Sequence, residues 1–256
     1  MNSNVEKHRL VPAGIVFPFI LLTSLFFIWA VPNNMTDTML AAFKRIMSLS
    51  DTQTAWIQVV CYLLGYGCFA LPGAIFIKKH TYKYGVLLGL GLCIFGGVLF
   101  YPAMLANNIS SPLSFATYLL AIFVLFAGLS VLETSANSYV YALGDPHTAT
   151  RRLNFSQSFN PFGALTGVLA SQIFVLSQLN TMSAAERAVL NEAELVNVQN
   201  AELNAVTIAY LILGLVMLAL FLLIFFTKMP QAQDEDKTLN LKATFNRLKG
   251  NKNYVW

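Results

Sequence analysis

The sequence predicts an all-α membrane protein with six transmembrane helices. Three observations lead there. Apolar residues make up 56% of the chain and charged residues only 11%, whereas soluble domains carry about 25% charged residues. Six apolar runs are each long enough to cross a bilayer core, which takes roughly 20 residues of helix. The Lys and Arg residues fall almost entirely in alternate loops, the pattern that sets membrane orientation.

The first span is expected over about residues 10–45. It contains Pro18 and Pro32, and each removes a backbone donor and would bend an isolated helix. A membrane bundle tolerates such breaks where neighbours or water satisfy the freed carbonyls. The second span covers about 55–77. The third, about 84–105, carries Gly85, Gly89, Gly91, Gly96 and Gly97, small residues that let helices approach closely. The fourth covers about 113–143, is free of charge up to Glu133, and is ended by Asp145-Pro146. The fifth, about 153–179, includes Pro161 and a Gly163-xxx-Gly167 pair. Residues 180–203 are polar, with Glu186, Glu192, Glu194 and Glu202, and read as a short amphipathic surface segment. The sixth span, about 205–227, is almost purely apolar, and together the spans make one bundle over 1–227. Residues 228–252 read as a charged cytoplasmic linker with a short interfacial helix at 239–248. Residues 253–256 read as the mouth of a seventh span.

Six spans place both termini on one side. All but three of the 16 Lys and Arg fall in the N-terminus, the 2–3 loop, the 4–5 loop and the tail. The exceptions are Lys44, Arg45 and Arg187. Positive charge stays cytoplasmic, so both termini are expected inside. The basic excess is thus a topology signal and gives no reason to expect nucleic acid. Cys61, Cys68 and Cys93 lie in apolar spans at no metal-ligand spacing. His8, His80 and His147 fall in loops, and no span carries a Ser/His or Cys/His constellation. No GxxxxGK[ST] loop occurs. An intramembrane enzyme, an ATP-driven pump, a metal and a cofactor are all unexpected on these grounds.

Two acids remain inside the predicted spans, Asp37 and Glu133, and apart from Lys44 and Arg45 at the very end of the first span no basic residue lies in a span to neutralise them. A carboxylate near a bilayer centre costs at least ~2.5 kcal/mol on insertion scales, so it usually faces a wet cavity or a partner. The first span leads outward and the fourth inward, which puts Asp37 toward the outer side and Glu133 on the inner side of its midpoint. One acid near each mouth suits a proton-coupled carrier. Polar neighbours follow helical spacing, so they share faces. Trp29, Asn33 and Asp37 step by four, as do Gln58, Tyr62 and Tyr66; Glu133 pairs with Asn137; Asn154, Gln157 and Asn160 step by three. Amides offer donors and acceptors to hydroxyls, and rings offer flat apolar contact, so the set suits a polyhydroxylated ligand. The plainer reading is interhelical hydrogen bonding with aromatic packing.

Three stretches carry a family resemblance. Phe26 to Asp37 (FFIWAVPNNMTD), Leu132 to Asn137 (LETSAN) and Arg152 to Gly163 (RLNFSQSFNPFG) resemble the helix 1, helix 4 and helix 5 signatures of the fucose permease branch of the major facilitator superfamily, the fucose–galactose–glucose:proton symporters. The loop from Gly73 to Lys79 only half matches the superfamily's 2–3 loop motif, with Ile77 where many members have aspartate. The resemblance implies the N-terminal half of a twelve-span fold, itself two inverted three-helix repeats. It implies a hexose or 6-deoxyhexose such as L-fucose as substrate, carried with a proton by alternating access in a bacterial inner membrane. Glu133 and Asp37 would couple the proton. Asn33, Asn34, Asn137, Gln157, Asn160, Tyr62 and Trp29 would line the sugar site. The implied partners are the monosaccharide, the proton, the bilayer, and a missing C-terminal half or a second copy. The alternative is a six-helix module that transports nothing itself and assembles with a partner half or with itself.

Overall fold

The computed structural model describes residues 9–230 and Arg247. Most of the expected tail helix at 239–248, and the expected start of a seventh span at 253–256, lie outside the described residues. Among the described residues there is helix and no strand. Six helices are long and apolar enough to cross a membrane: α1 Val16–Ile46, α2 Asp51–Lys79, α3 Tyr82–Ala106, α4 Ser111–Ala142, α5 Pro146–Gln178 and α6 Glu192–Phe226.

The first helix starts later than its apolar run. Pro12 leads into a single 3-10 turn, Ala13–Ile15, and α1 begins at Val16. Pro18 therefore lies in the first turn, where backbone N–H groups lack intrahelical acceptors anyway. Of the two prolines expected to break the helix, only Pro32 is interior. Just beyond it the side chains bond backward onto the main chain: Asn34 Nδ2 donates to the Ala30 carbonyl at 2.8 Å, and Thr38 Oγ1 donates to the carbonyls of Asn34 and Met35. The helix stops at Ile46, where Leu49 N donates to the Lys44 carbonyl at 2.9 Å. Ser48 takes a left-handed φ of 52°, a post that glycine usually fills.

Two of the other helices are irregular. In α2 a Ser50–Gln53 capping box precedes Asp51–Gln58, a π-helical segment Val59–Gly67 follows, and Cys68–Lys79 is α-helical. In α5 the chain breaks at Ser158 and Phe159, between Ala149–Gln157 and Asn160–Phe174, with Pro161 near the start of the second piece.

The sixth span is longer than its apolar run suggests, which corrects the reading of 180–203. Asn191 and Glu194 form a capping box that starts α6 at Glu192. Glu202 then lies inside a span-length helix, not on a surface segment, and is 1% exposed. It survives there because Arg187, on the short helix Ala184–Ala188, forks onto its two carboxylate oxygens. Asn180 N donates to the same carboxylate at 2.9 Å. Buried charges need such pairing and hydrogen bonding.

Packing follows the small residues. A Cβ on Gly89 would lie 2.6 Å from Leu132 N, and one on Gly128 2.6 Å from Cys93 N, so α3 and α4 meet backbone to backbone. A Cβ on Gly163 or Gly167 would run into the carbonyl oxygens of Phe27 and Val31, so the glycine pair seats α5 on α1. Phe100 stacks on Tyr210 at 3.8 Å between centroids, joining α3 to α6. α1 and α4 are the most enclosed spans, and α2 and α5 the most open.

At the end opposite the α1–α2 turn, hydrogen bonds tie the helix ends together. Lys83 Nζ donates to the carbonyls of Phe225 and Thr227, both at 2.9 Å, where a cation complements the α6 C-terminus. Tyr139 donates to the Pro230 carbonyl at 2.6 Å. Arg152, fully buried, donates to the Val140, Tyr141 and Asp145 carbonyls and to Thr148 Oγ1. It thereby satisfies the last turn of α4 from the start of α5.

Candidate functional site

The polar residues singled out in the sequence fall on α1, α2, α4 and α5, and two cross-helix pairs organise them. On α1, Asp37 is exposed, and its Oδ1 accepts a hydrogen bond from the Tyr62 hydroxyl of α2 at 2.7 Å. On α4, Asn137 is half-buried, and its Oδ1 accepts from Gln157 Nε2 of α5 at 3.2 Å. The two pairs are counterparts. Each joins the first helix of a three-helix unit to the second, as inverted repeats would have it. Each also uses a helix with a local defect: Tyr62 sits in the π-helical segment of α2, and Gln157 is the last residue before the break in α5. Such defects re-aim side chains and recur at functional sites.

Glu133 is half-buried on α4, one turn before Asn137. Its backbone carbonyl accepts from Asn137 Nδ2 at 2.9 Å. Among the described residues no side chain hydrogen-bonds or ion-pairs with its carboxylate. Asp37 and Glu133 each lie about two-thirds of the way along their own helices, α1 and α4. Consecutive spans cross in opposite directions, so the two acids approach opposite faces of the bundle.

The remaining residues divide. Asn33 is half-buried, and its Oδ1 is buried with no hydrogen-bond partner. A buried oxygen left unsatisfied calls for a donor from elsewhere. Asn34 is half-buried with its amide turned back on α1. Asn160 is half-buried just past the α5 break, while Asn154 is exposed. Trp29 is placed differently from the rest: it is 3% exposed and packs on Phe26 at 4.3 Å. The α1 stripe therefore climbs from packed core at Trp29 to open surface at Asp37. Tyr62 and Tyr66 both meet the ring of Phe126 edge-on, at 5.5 and 6.5 Å. Phe126 supports the aromatic side of the site and carries no sequence signal, since it is one apolar residue in an apolar run.

The site is an open polar face on half-exposed helices, not an enclosed chamber. It offers amide donors and acceptors, a phenol, and two carboxylates at different depths. Among the described residues no group of three or more His, Cys, Asp or Glu could hold a metal.

Comparison with known proteins bears on this arrangement. Residues 15–255 match the family profile of the Major Facilitator Superfamily. The chain is 38% identical over 254 residues to the L-fucose-proton symporter of Haemophilus influenzae, covering 97% of this chain and 56% of that protein. It is 32% identical to the glucose/galactose transporter of Brucella abortus, over 88% of this chain and 50% of that one. The crystal structure of the Escherichia coli fucose:proton symporter superposes with a TM-score of 0.78 at 33% identity, covering 94% of this chain and 57% of that chain. A structure of a transporter described as outward-facing superposes at 0.75. The chain thus spans about half the length of these relatives, and the part matched is their N-terminal half.

Proposed function

The chain belongs to the major facilitator superfamily, and from that premise we propose that it forms the N-terminal half of a proton-coupled sugar symporter. The substrate is a hexose or 6-deoxyhexose, of which L-fucose is the leading candidate. The membrane is a bacterial inner membrane, with both ends of the bundle cytoplasmic. A second six-helix half completes the sugar site, and the two halves rock about it in alternating access.

The observation that carries this reading is the pair of acids on the equivalent helices α1 and α4, each beside amides and a defect in the neighbouring helix. In the cycle, Glu133 takes up and releases the proton, since among the described residues none pairs with its carboxylate. Asp37, hydrogen-bonded to Tyr62, links protonation to sugar entry. Asn33, Asn34, Asn137, Gln157 and Asn160 hold sugar hydroxyls, and Tyr62 supplies a flat face. Trp29 acts from beneath, by fixing the α1 stripe. The buried Asn33 Oδ1 finds its donor in the sugar or in the second half.

The test is sugar-driven proton movement in cells expressing the gene in its natural reading frame. Adding L-fucose, galactose or glucose to lightly buffered cells is expected to alkalinise the medium with one of them. Glu133→Gln is expected to abolish that pH change while leaving sugar exchange across the membrane. Uptake with no pH change in the wild type, or an undiminished pH change in Glu133→Gln, overturns the reading.

A further inference from the structure

We propose that the bundle carries a phosphate-binding site at the end opposite the Lys83–α6 clamp, apart from the sugar face. A pocket of about 830 Å³ opens there between the end of α1, the 180–190 segment and the start of α6. The three Lys and Arg residues at this end of the bundle, Lys44, Arg45 and Arg187, all line it, and no acid does. Membrane proteins disfavour basic residues on the outer side, so three of them at one hollow, two ion-paired to Asp51 and Glu202, run against the general trend.

Their hydrogen-bonding capacity is only partly used. Arg45 donates to the Asn180 and Met182 carbonyls through a single terminal nitrogen, Nη2. Its Nη1 and Nε have no acceptor among the described residues. Lys44 gives one of its three ammonium hydrogens to Asp51. Arg187 forks onto Glu202, while its Nε is buried without a partner. Arg187 is 5% exposed, so that nitrogen cannot turn to bulk water. Ser48, Thr181 and Ser183 add hydroxyls or backbone groups to the same wall. Lys44 is paired with Asp51 and Arg187 with Glu202, so Arg45 is the cation with no acid partner among the described residues. Its unspent nitrogens, with the remaining hydrogens of Lys44, fit a tetrahedral oxyanion with several acceptor oxygens. The rest of the wall is apolar, Leu49 and Leu195 among it. That suits a phosphate on an amphiphile, a lipid headgroup, as well as free phosphate.

The experiment is thermal unfolding of the purified full chain in nanodiscs, with inorganic phosphate titrated into neutral phosphatidylcholine discs. A parallel series replaces part of the lipid by phosphatidylglycerol. Phosphate is expected to raise Tm saturably, and matched chloride is not. Lys44→Gln and the milder Arg45→Lys are expected to weaken the phosphate effect about tenfold, as loss of one charge-assisted contact does. Arg187 is left intact because Glu202 depends on it. Stabilisation by phosphatidylglycerol at low phosphate, lost in the same variants, assigns the site to a lipid headgroup. Stabilisation by phosphate alone assigns it to the free anion. An equal effect of chloride, or variants that respond as the wild type does, overturns the proposal. If a variant does not fold, the chloride comparison on the wild type decides.

Discussion

At the scale of single residues, the site depends on hydrogen bonds that bridge neighbouring helices. Removing the hydroxyl that Asp37 accepts, by Tyr62→Phe, leaves the ring against Phe126 and takes away one bond to a charged group. Asp37 is exposed, so the bond adds little to folded-state stability and Tm is expected to change little, while sugar-driven proton uptake is expected to fall about tenfold. Gln157→Ala leaves Asn137 Oδ1 without its donor. It is expected to raise the KM for sugar more than it lowers the maximal rate, which initial-rate uptake measures. Much of this was legible in the sequence, because charged and amide side chains stand out in apolar runs and helical spacing puts them on shared faces. The pairing of Asp37 with Tyr62 was not legible. It depends on the π-helical segment of α2, and nothing in Val59–Gly67 marks a change of helical pitch. Trp29 shows the converse: its step of four to Asn33 was visible, but the end of the stripe that sinks into the core is decided by neighbouring helices.

At the scale of elements, close approach and buried charge set the stability. Gly163→Leu pushes a side chain into the α1 carbonyls that Gly163 and Gly167 sit against. Overpacking of this kind costs about 1–3 kcal/mol, and a lower Tm in detergent measures it. Arg187→Ala is expected to cost more, about 3–5 kcal/mol, because it strands the buried Glu202 carboxylate. Pairing it with Glu202→Gln should recover part of the loss. The six apolar runs announced the helices, but hydropathy gave poor ends. The start of α6 was written in Asn191 and Glu194, a capping pattern lying well upstream of the apolar run. Likewise the start of α1 follows from proline geometry at Pro12 and Pro18, because an apolar residue before a helix looks the same as one inside it.

At the scale of the whole molecule, orientation is the property open to direct measurement. Cysteine replacements report it once the exposed native thiol, Cys68, is changed to serine. Asn108→Cys, exposed between α3 and α4, is expected to react with an impermeant maleimide added to intact cells. Lys79→Cys, exposed at the other end, is expected to react only after permeabilisation. The reverse result would invert the topology that the charge pattern predicts. The order of assembly follows from the seating of α5 on α1. The first span emerges from the ribosome long before the glycine pair that fits against it, with three other spans made in between. During that interval α1 can already meet α2, where Tyr62 donates to Asp37, but its Phe27 and Val31 face waits for Gly163 and Gly167. That seam of the first span is closed only once a late-made helix is in place.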